Sequence, residues 1–316
     1  MSIITGMKNK INLIIKYLIS LLILAVIFFQ IKFENLLKIE INFDLKLYLM
    51  IFFTLFSSLM LRALRWHYLM RNVNTRLSIG FSIKLLLTGT ALNLIVPAGM
   101  GDVLKSYFGY KWSNIKERIL AVSIADKLIA IGGLFFISLF IFFYLNEKWI
   151  IIPGIFCLIP LSLLILLRSK GFVSFIEYLY KKSRIEKYLK ISFIELIKNS
   201  DFSVFKIFVS VIISILAWYF TYYILFLSFK CLDVNISFFQ VLIYAPVITI
   251  VRLFPFTLNG IGSDEAAIIY VYSRYIDSSE QILVAAFIYR IISLIIPALA
   301  GTLIIIFNKK EISKAN

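Results

Sequence analysis

Apolar residues run along this chain in blocks of about twenty, separated by short polar stretches. A helix needs roughly twenty apolar positions to cross a hydrocarbon layer about 30 Å thick. Blocks of that length predict full spans over about 11–31, 45–64, 118–145, 149–168, 204–229 and 281–307. Two further blocks behave differently. Residues 79–96 run into Pro97-Ala98-Gly99-Met100-Gly101-Asp102, followed by a short apolar return to Tyr110. Residues 237–254 run into Pro255-Phe256-Thr257-Leu258-Asn259-Gly260-Ile261-Gly262, with a short return to about Tyr275. Each reads as a re-entrant helical hairpin. Asn93, Pro97, Gly99 and Gly101 mark the first break, and Pro255, Asn259, Gly260 and Gly262 mark the second. Irregular backbone at that depth is tolerable only where protein or a wet cavity surrounds it. The predicted fold class is therefore all-α: a polytopic membrane protein of six full spans plus two re-entrant helical hairpins, forming one membrane domain over 1–316.

Composition sharpens this picture. The chain is 61% hydrophobic and only 16% charged, whereas soluble domains are about a quarter charged. A net charge of +16 raises the question of nucleic acid. The placement of the bases answers it: they cluster in short loops between apolar blocks, which is a topology signal, and no nucleic-acid partner is expected. With the N-terminus inside and both hairpins returning to their own side, 21 Lys and Arg fall in cytoplasmic segments and 6 in outer ones. That bias predicts a multi-pass protein of the cell membrane with both termini cytoplasmic. In this count the cytoplasmic set includes Arg62, in the last turn of the second span, and Arg65, just beyond it. Lys8 and Lys10 before the first apolar block resemble a signal peptide, but the block is too long and no small-residue cleavage site follows, so it reads as a retained span. Residues 169–201 carry apolar positions at helical spacing with lysines between. They predict a cytoplasmic amphipathic helix on anionic headgroups, or a docking surface for a partner enzyme.

Shifting the sequence by 163 residues aligns the two hairpins. Gly99 falls on Gly262, Asp102 on Glu265, Tyr107 on Tyr270 and Lys127 on Arg290. Each half thus holds a glycine break, an acid three residues on, and a base 25 residues after the acid. Repeat one covers about 11–145 and repeat two about 149–307. The first hairpin enters from the cytoplasm and the second from outside, so the repeats are inverted. Such an arrangement places a substrate site where broken helices meet and suits alternating access.

The chemistry sits in the charges at membrane depth: Lys84, Asp102, Lys105, Asp126, Lys127, Arg252, Asp264, Glu265 and Arg290. Each costs roughly 2.5–3.5 kcal/mol at the bilayer centre by insertion scales, so they are expected to face one another or water. Buried ion pairs that fix the repeats are one reading. The other is a headgroup site in which Lys127 and Arg290 contact phosphate, Asp102 and Glu265 are their counter-charges, and Lys105, Arg252, Asp126 and Asp264 complete the set. Asp102 and Lys105, three apart, are placed to pair on one helix face. The helix ends at Gly99 and Gly262 offer N–H donors to an anion, and Lys84 is placed to snorkel. Cys157 and Cys231 lack the spacing of a metal site or a disulfide framework, and His67 and the four Trp suit interfacial positions. No hydrolase, metalloprotease or nucleotide-binding signature occurs, so no catalytic residue, metal or cofactor is expected.

The stretch Thr88-Gly89-Thr90-Ala91-Leu92-Asn93-Leu94-Ile95-Val96-Pro97-Ala98-Gly99-Met100-Gly101-Asp102, with Ala121 to Lys127, resembles the first signature of the flippase-like membrane domain of lysylphosphatidylglycerol synthases. Leu253-Phe254-Pro255, then Asn259 to Ala267 and Tyr289-Arg290, resembles the second. The resemblance covers almost the whole chain. It implies translocation of a lipid: aminoacylated phosphatidylglycerol in that family, and other lipids, including polyprenyl-linked sugars, in stand-alone relatives. The family's soluble aminoacyl-transferase domain has no counterpart here, so synthesis of the aminoacyl lipid is not expected. Lys127 stands where an arginine is common, which keeps the charge but loses bidentate geometry. The expected partners are membrane lipids, either an anionic phospholipid or a polyprenyl-phosphate-linked lipid, with a partner transferase as a further candidate. The competing expectations are an ion-coupled transporter of a small anion and a non-transporting helper of a glycosyltransferase.

Overall fold

The computed structural model describes residues 17–29, 33–42, 44–71, 77–96, 99–113, 115–145, 203–253 and 259–308, together with Ile15, Ile31, Ser162 and Thr257. The chain is all-helical across these residues. The predicted span at 149–168, the amphipathic connection at 169–201, and Pro97 and Pro255 lie outside them.

The helices follow in order: α1 (Tyr17–Phe29), α2 (Phe33–Leu36), α3 (Leu45–Met70), α4 (Ile79–Asn93), α5 (Gly101–Ser113), α6 (Lys116–Leu145), α7 (Val204–Lys230), α8 (Phe238–Leu253), α9 (Ser263–Tyr272), α10 (Ser279–Arg290) and α11 (Ile296–Phe307). A π-helical turn, Ile291–Ile295, joins α10 to α11. Among the described residues four segments are long and apolar enough to cross a membrane: Leu45–Met70, Arg118–Leu139, Val204–Lys230 and Ser279–Phe307. The helices Tyr17–Phe29, Ile79–Asn93 and Phe238–Leu253 are apolar but shorter. The last two are the expected first legs of the hairpins, and α5 and α9 follow their breaks.

Local chemistry accounts for these elements. Threonine hydroxyls inside the apolar helices bond back to the carbonyl four residues earlier, as Thr54 does to Met50, Thr88 to Lys84 and Thr249 to Ala245, which satisfies those hydroxyls within their own helix. Ser278 caps α10 by accepting from the Gln281 N–H. The π turn has an identifiable cause: Pro297 has no N–H for the Ser293 carbonyl, and Ile296 N–H reaches back to Ile291 O instead.

Contacts divide the chain into two compact units. One comprises Met1–Phe56, Thr90–Gly101 and Tyr219–Leu299. There α9 packs against α8 and α10. Ile27, Ile31 and Leu283 form its buried core with Ile23, Ala266, Ile269 and Phe287 around them. The other comprises Ser57–Gly89, Asp102–Trp218 and Ala300–Asn316. Its core gathers Trp66, Leu69, Leu85, Ile119, Val122, Ala125 and Ile129.

Candidate functional site

In the unit that contains α5 and α6, six charged side chains meet. Lys127 Nζ donates to Asp102 Oδ2 at 2.9 Å. Arg62 Nη2 lies 4.0 Å from Asp102 Oδ1. Deeper in the same unit, Arg65 Nε donates to Asp126 Oδ1 at 2.6 Å and its Nη1 to Ser214 Oγ at 3.1 Å. Lys105 Nζ sits 3.5 Å from Asp126 Oδ2, with its side chain only 1% exposed. Helix geometry sets this division. Arg62 and Arg65, three apart, share a face of α3, while Asp126 and Lys127 are adjacent on α6 and point about 100° apart, so each serves a different partner. Trp66, next after Arg65, donates to Ser123 Oγ at 3.3 Å and ties α3 to α6.

In the other unit four charges meet. Arg290 grips Glu265 with two N–H groups, Nε to Oε1 at 2.6 Å and Nη2 to Oε2 at 3.0 Å. Its Nη2 also donates to the Gly260 carbonyl at 2.9 Å and to Asp264 Oδ2 at 3.4 Å. Arg252 donates to the same Asp264 oxygen from Nε at 2.7 Å and reaches it from Nη2 at 2.6 Å. Tyr289 presents its ring to Arg252, 6.0 Å from guanidinium carbon to centroid. These residues line a small pocket with Ile268, Ala286, Ser293 and Leu294, the last two from the π turn.

The glycine breaks earn their residue type. Gly99 and Gly262 have φ of 63° and 85°, and Gly260 has 80°. Asn259 also takes a left-handed φ of 44°, which asparagine tolerates better than most. A Cβ on Gly262 would further press on Ser20 O and Ile23 of α1. Asn93 ends α4 and Gly101 begins α5.

Two residue-level expectations are corrected. Asp102 and Lys105 share a helix face, but Lys105 turns to Asp126, while Asp102 is held by Lys127 of α6. The helix end at Gly262 does not hold out its N–H to an external anion. Gly262 N donates to Glu265 Oε2 at 2.8 Å, so the side chain of α9 caps its own helix. Lys84 donates to Asn308 Oδ1 at 2.6 Å and lies 4.0 Å from the centre of the Trp112 ring. Sequence reasoning missed Arg62 and Arg65. It ended the second span at residue 64, whereas α3 continues to Met70 and carries both arginines on its length. The signal was present as two arginines three apart in an apolar block.

The repeated pair now has a shape. Asp102 with Lys127 and Glu265 with Arg290 are both acid-to-base contacts 25 residues apart, each behind a glycine with left-handed φ. The supporting charges do not repeat: under the same offset Asp126 falls on Tyr289, and Asp264 on Gly101.

Residues 13–301 match the family described as lysylphosphatidylglycerol synthase TM region. A UPF0104 membrane protein of Methanocaldococcus jannaschii is 20% identical to this chain over an alignment of 329 positions that covers 97% of each.

Proposed function

Taking as premise that this chain belongs to the lysylphosphatidylglycerol synthase TM region family, we propose that it is a lipid translocase that carries a polar headgroup across the bilayer. The observation that carries this reading is the twice-occurring, partly buried pair, Asp102 with Lys127 and Glu265 with Arg290. A headgroup crossing hydrocarbon unaided loses its hydration, and an unpaired ion there is costly. A resting ion pair lowers that barrier by exchange. The phosphate takes over the base, the acid turns to the headgroup's amine or hydroxyls, and each buried charge leaves one partner only as it gains another. The cargo chemistry is an anionic, aminoacylated or polyprenyl-phosphate-linked headgroup, and the role is carriage rather than catalysis. The accompanying topology is six full spans and two re-entrant hairpins in an inverted repeat, in the cell membrane, with both termini cytoplasmic.

Reconstitution in liposomes tests it. The protein accelerates exposure of a labelled headgroup at the opposite leaflet, and Arg290→Ala or Glu265→Ala abolishes the acceleration. Absence of acceleration with phospholipid and polyprenyl-phosphate lipids alike rejects the proposal. Uptake of a soluble anion without lipid movement assigns the same charges to an ion-coupled transporter. Full cellular function after removal of the charges assigns the chain to a helper role beside a glycosyltransferase.

A further inference from the structure

The two clusters differ in their charge balance. In the second, two acids meet two bases: Asp264 and Glu265 against Arg252 and Arg290. In the first, among the described residues, two acids meet four bases, and each acid is shared by two of them. Asp126 lies between Arg65 and Lys105, and Asp102 between Lys127 and Arg62. Among the described residues the first cluster therefore carries two positive charges in excess.

Depth separates its two trios. The side chains of Lys105 and Arg65 are 1% and 5% exposed, whereas those of Lys127 and Arg62 are 20% and 28% exposed. The inner trio is a closed positive floor, with Arg65 fixed further by Ser214. The outer trio is the open layer. Arg62, at 4.0 Å from Asp102, is beyond hydrogen-bond reach of it. An excess of buried positive charge is unfavourable without a counter-ion. The arrangement is a loaded anion site: a floor that stays paired, and an arginine and a lysine at the mouth that share one carboxylate.

We propose that this six-residue cluster is the phosphate-binding site of the molecule, and that it takes a group bearing two negative charges, a phosphomonoester or a diphosphate ester. The proposal rests on the translocase reading and narrows its substrate class. A dianion between Arg62 and Lys127 neutralises the excess of two, and Arg62 supplies the planar fork suited to phosphate oxygens. A zwitterionic headgroup, one phosphate charge offset by its own amine, leaves the excess in place. The second cluster, balanced and self-capped through Glu265 and Gly262, has no such demand.

Binding, measured apart from transport, tests this. Detergent-solubilised full-length protein is titrated calorimetrically at pH 8 with dihexanoyl phosphatidate, dihexanoyl phosphatidylcholine and inorganic phosphate. Phosphatidate binds at least roughly tenfold more tightly than phosphatidylcholine, the size of one charge-assisted hydrogen bond. Arg62→Gln, at the exposed mouth, weakens phosphatidate by a similar factor, and Lys84→Gln, outside the cluster, leaves it unchanged. Asp102→Asn raises the excess to three and tightens binding, the opposite of what a purely structural ion pair would do. Melting temperatures of each variant identify any that is unfolded. Equal binding of phosphatidate and phosphatidylcholine overturns the proposal, as does an Asp102→Asn protein that folds but binds more weakly. Inorganic phosphate binding as tightly as phosphatidate upholds the dianion site and overturns the lipid reading instead. Lipid transport that persists in Arg62→Gln with unchanged phosphatidate affinity overturns the site and leaves the translocase standing.

Discussion

Glu265 answers to two neighbours at once. One oxygen accepts from the Gly262 N–H at the start of α9, and both accept from Arg290. Its neutralisation therefore removes a helix cap charge and leaves a buried guanidinium without its counter-ion. Glu265→Gln is expected to destabilise the folded protein by about 3–5 kcal/mol, seen as a lower thermal transition in detergent. Gly262 faces a double constraint, a φ of 85° and the approach of Ser20 O. Gly262→Ala is expected to cost about 1–3 kcal/mol from backbone strain alone, read in the same thermal assay. Cys231 sits buried in the turn after α7, where burial first and the Asp233 carboxylate second push its thiol above the usual range. A raised thiol carries less thiolate at neutral pH, so maleimide labels Cys231 slowly in folded Cys157→Ser protein. The rate climbs only as pH passes the ordinary thiol range, and rapid labelling at pH 7 refutes the assignment.

At the scale of elements, the glycines decide how closely helices approach. Gly133 of α6 faces Ser214 of α7, and a Cβ there would collide with the serine side chain. Ser214 in turn accepts from Arg65. The bare backbone of α6 is what brings α7 near enough to help hold the inner arginine. Gly133→Val is expected to push α7 outward, costing about 1–3 kcal/mol by overpacking, and to loosen Arg65. Ser214→Ala removes the hydrogen bond without the bulk and serves as the milder comparison in thermal melts. The helix interruptions before α5 and α9 were legible from the pattern because glycine and asparagine at φ above zero leave a compositional trace. The extension of α3 was not: Arg62 and Arg65 in an apolar block look like loop cations until a partner appears across the bundle.

For the whole molecule, four long apolar segments and the family match make a multi-pass membrane protein, and the proposed orientation follows from where the bases fall. Fluorescent reporters fused to either end are expected to report a cytoplasmic location for both. A periplasmic or extracellular signal from either end removes the topology, and with it the inversion of the repeats.

Helicity, membrane residence, the places where helices break and the recurrence of acid and base 25 residues apart are all written in the order of residues along the chain. These follow from local rules: hydrophobic runs set span length, and glycine sets where the backbone can turn. Only the tertiary structure decided which charge meets which. Lys105 could reach Asp102 along its own helix, yet it pairs with Asp126 of α6, and Asp102 pairs with Lys127. The excess of two bases in one cluster became visible only once α3 was seen lying against α6 through Trp66 and Ser123. Charge balance in a low-dielectric interior depends on which groups lie within a few ångströms of one another, and no period in the chain encodes that.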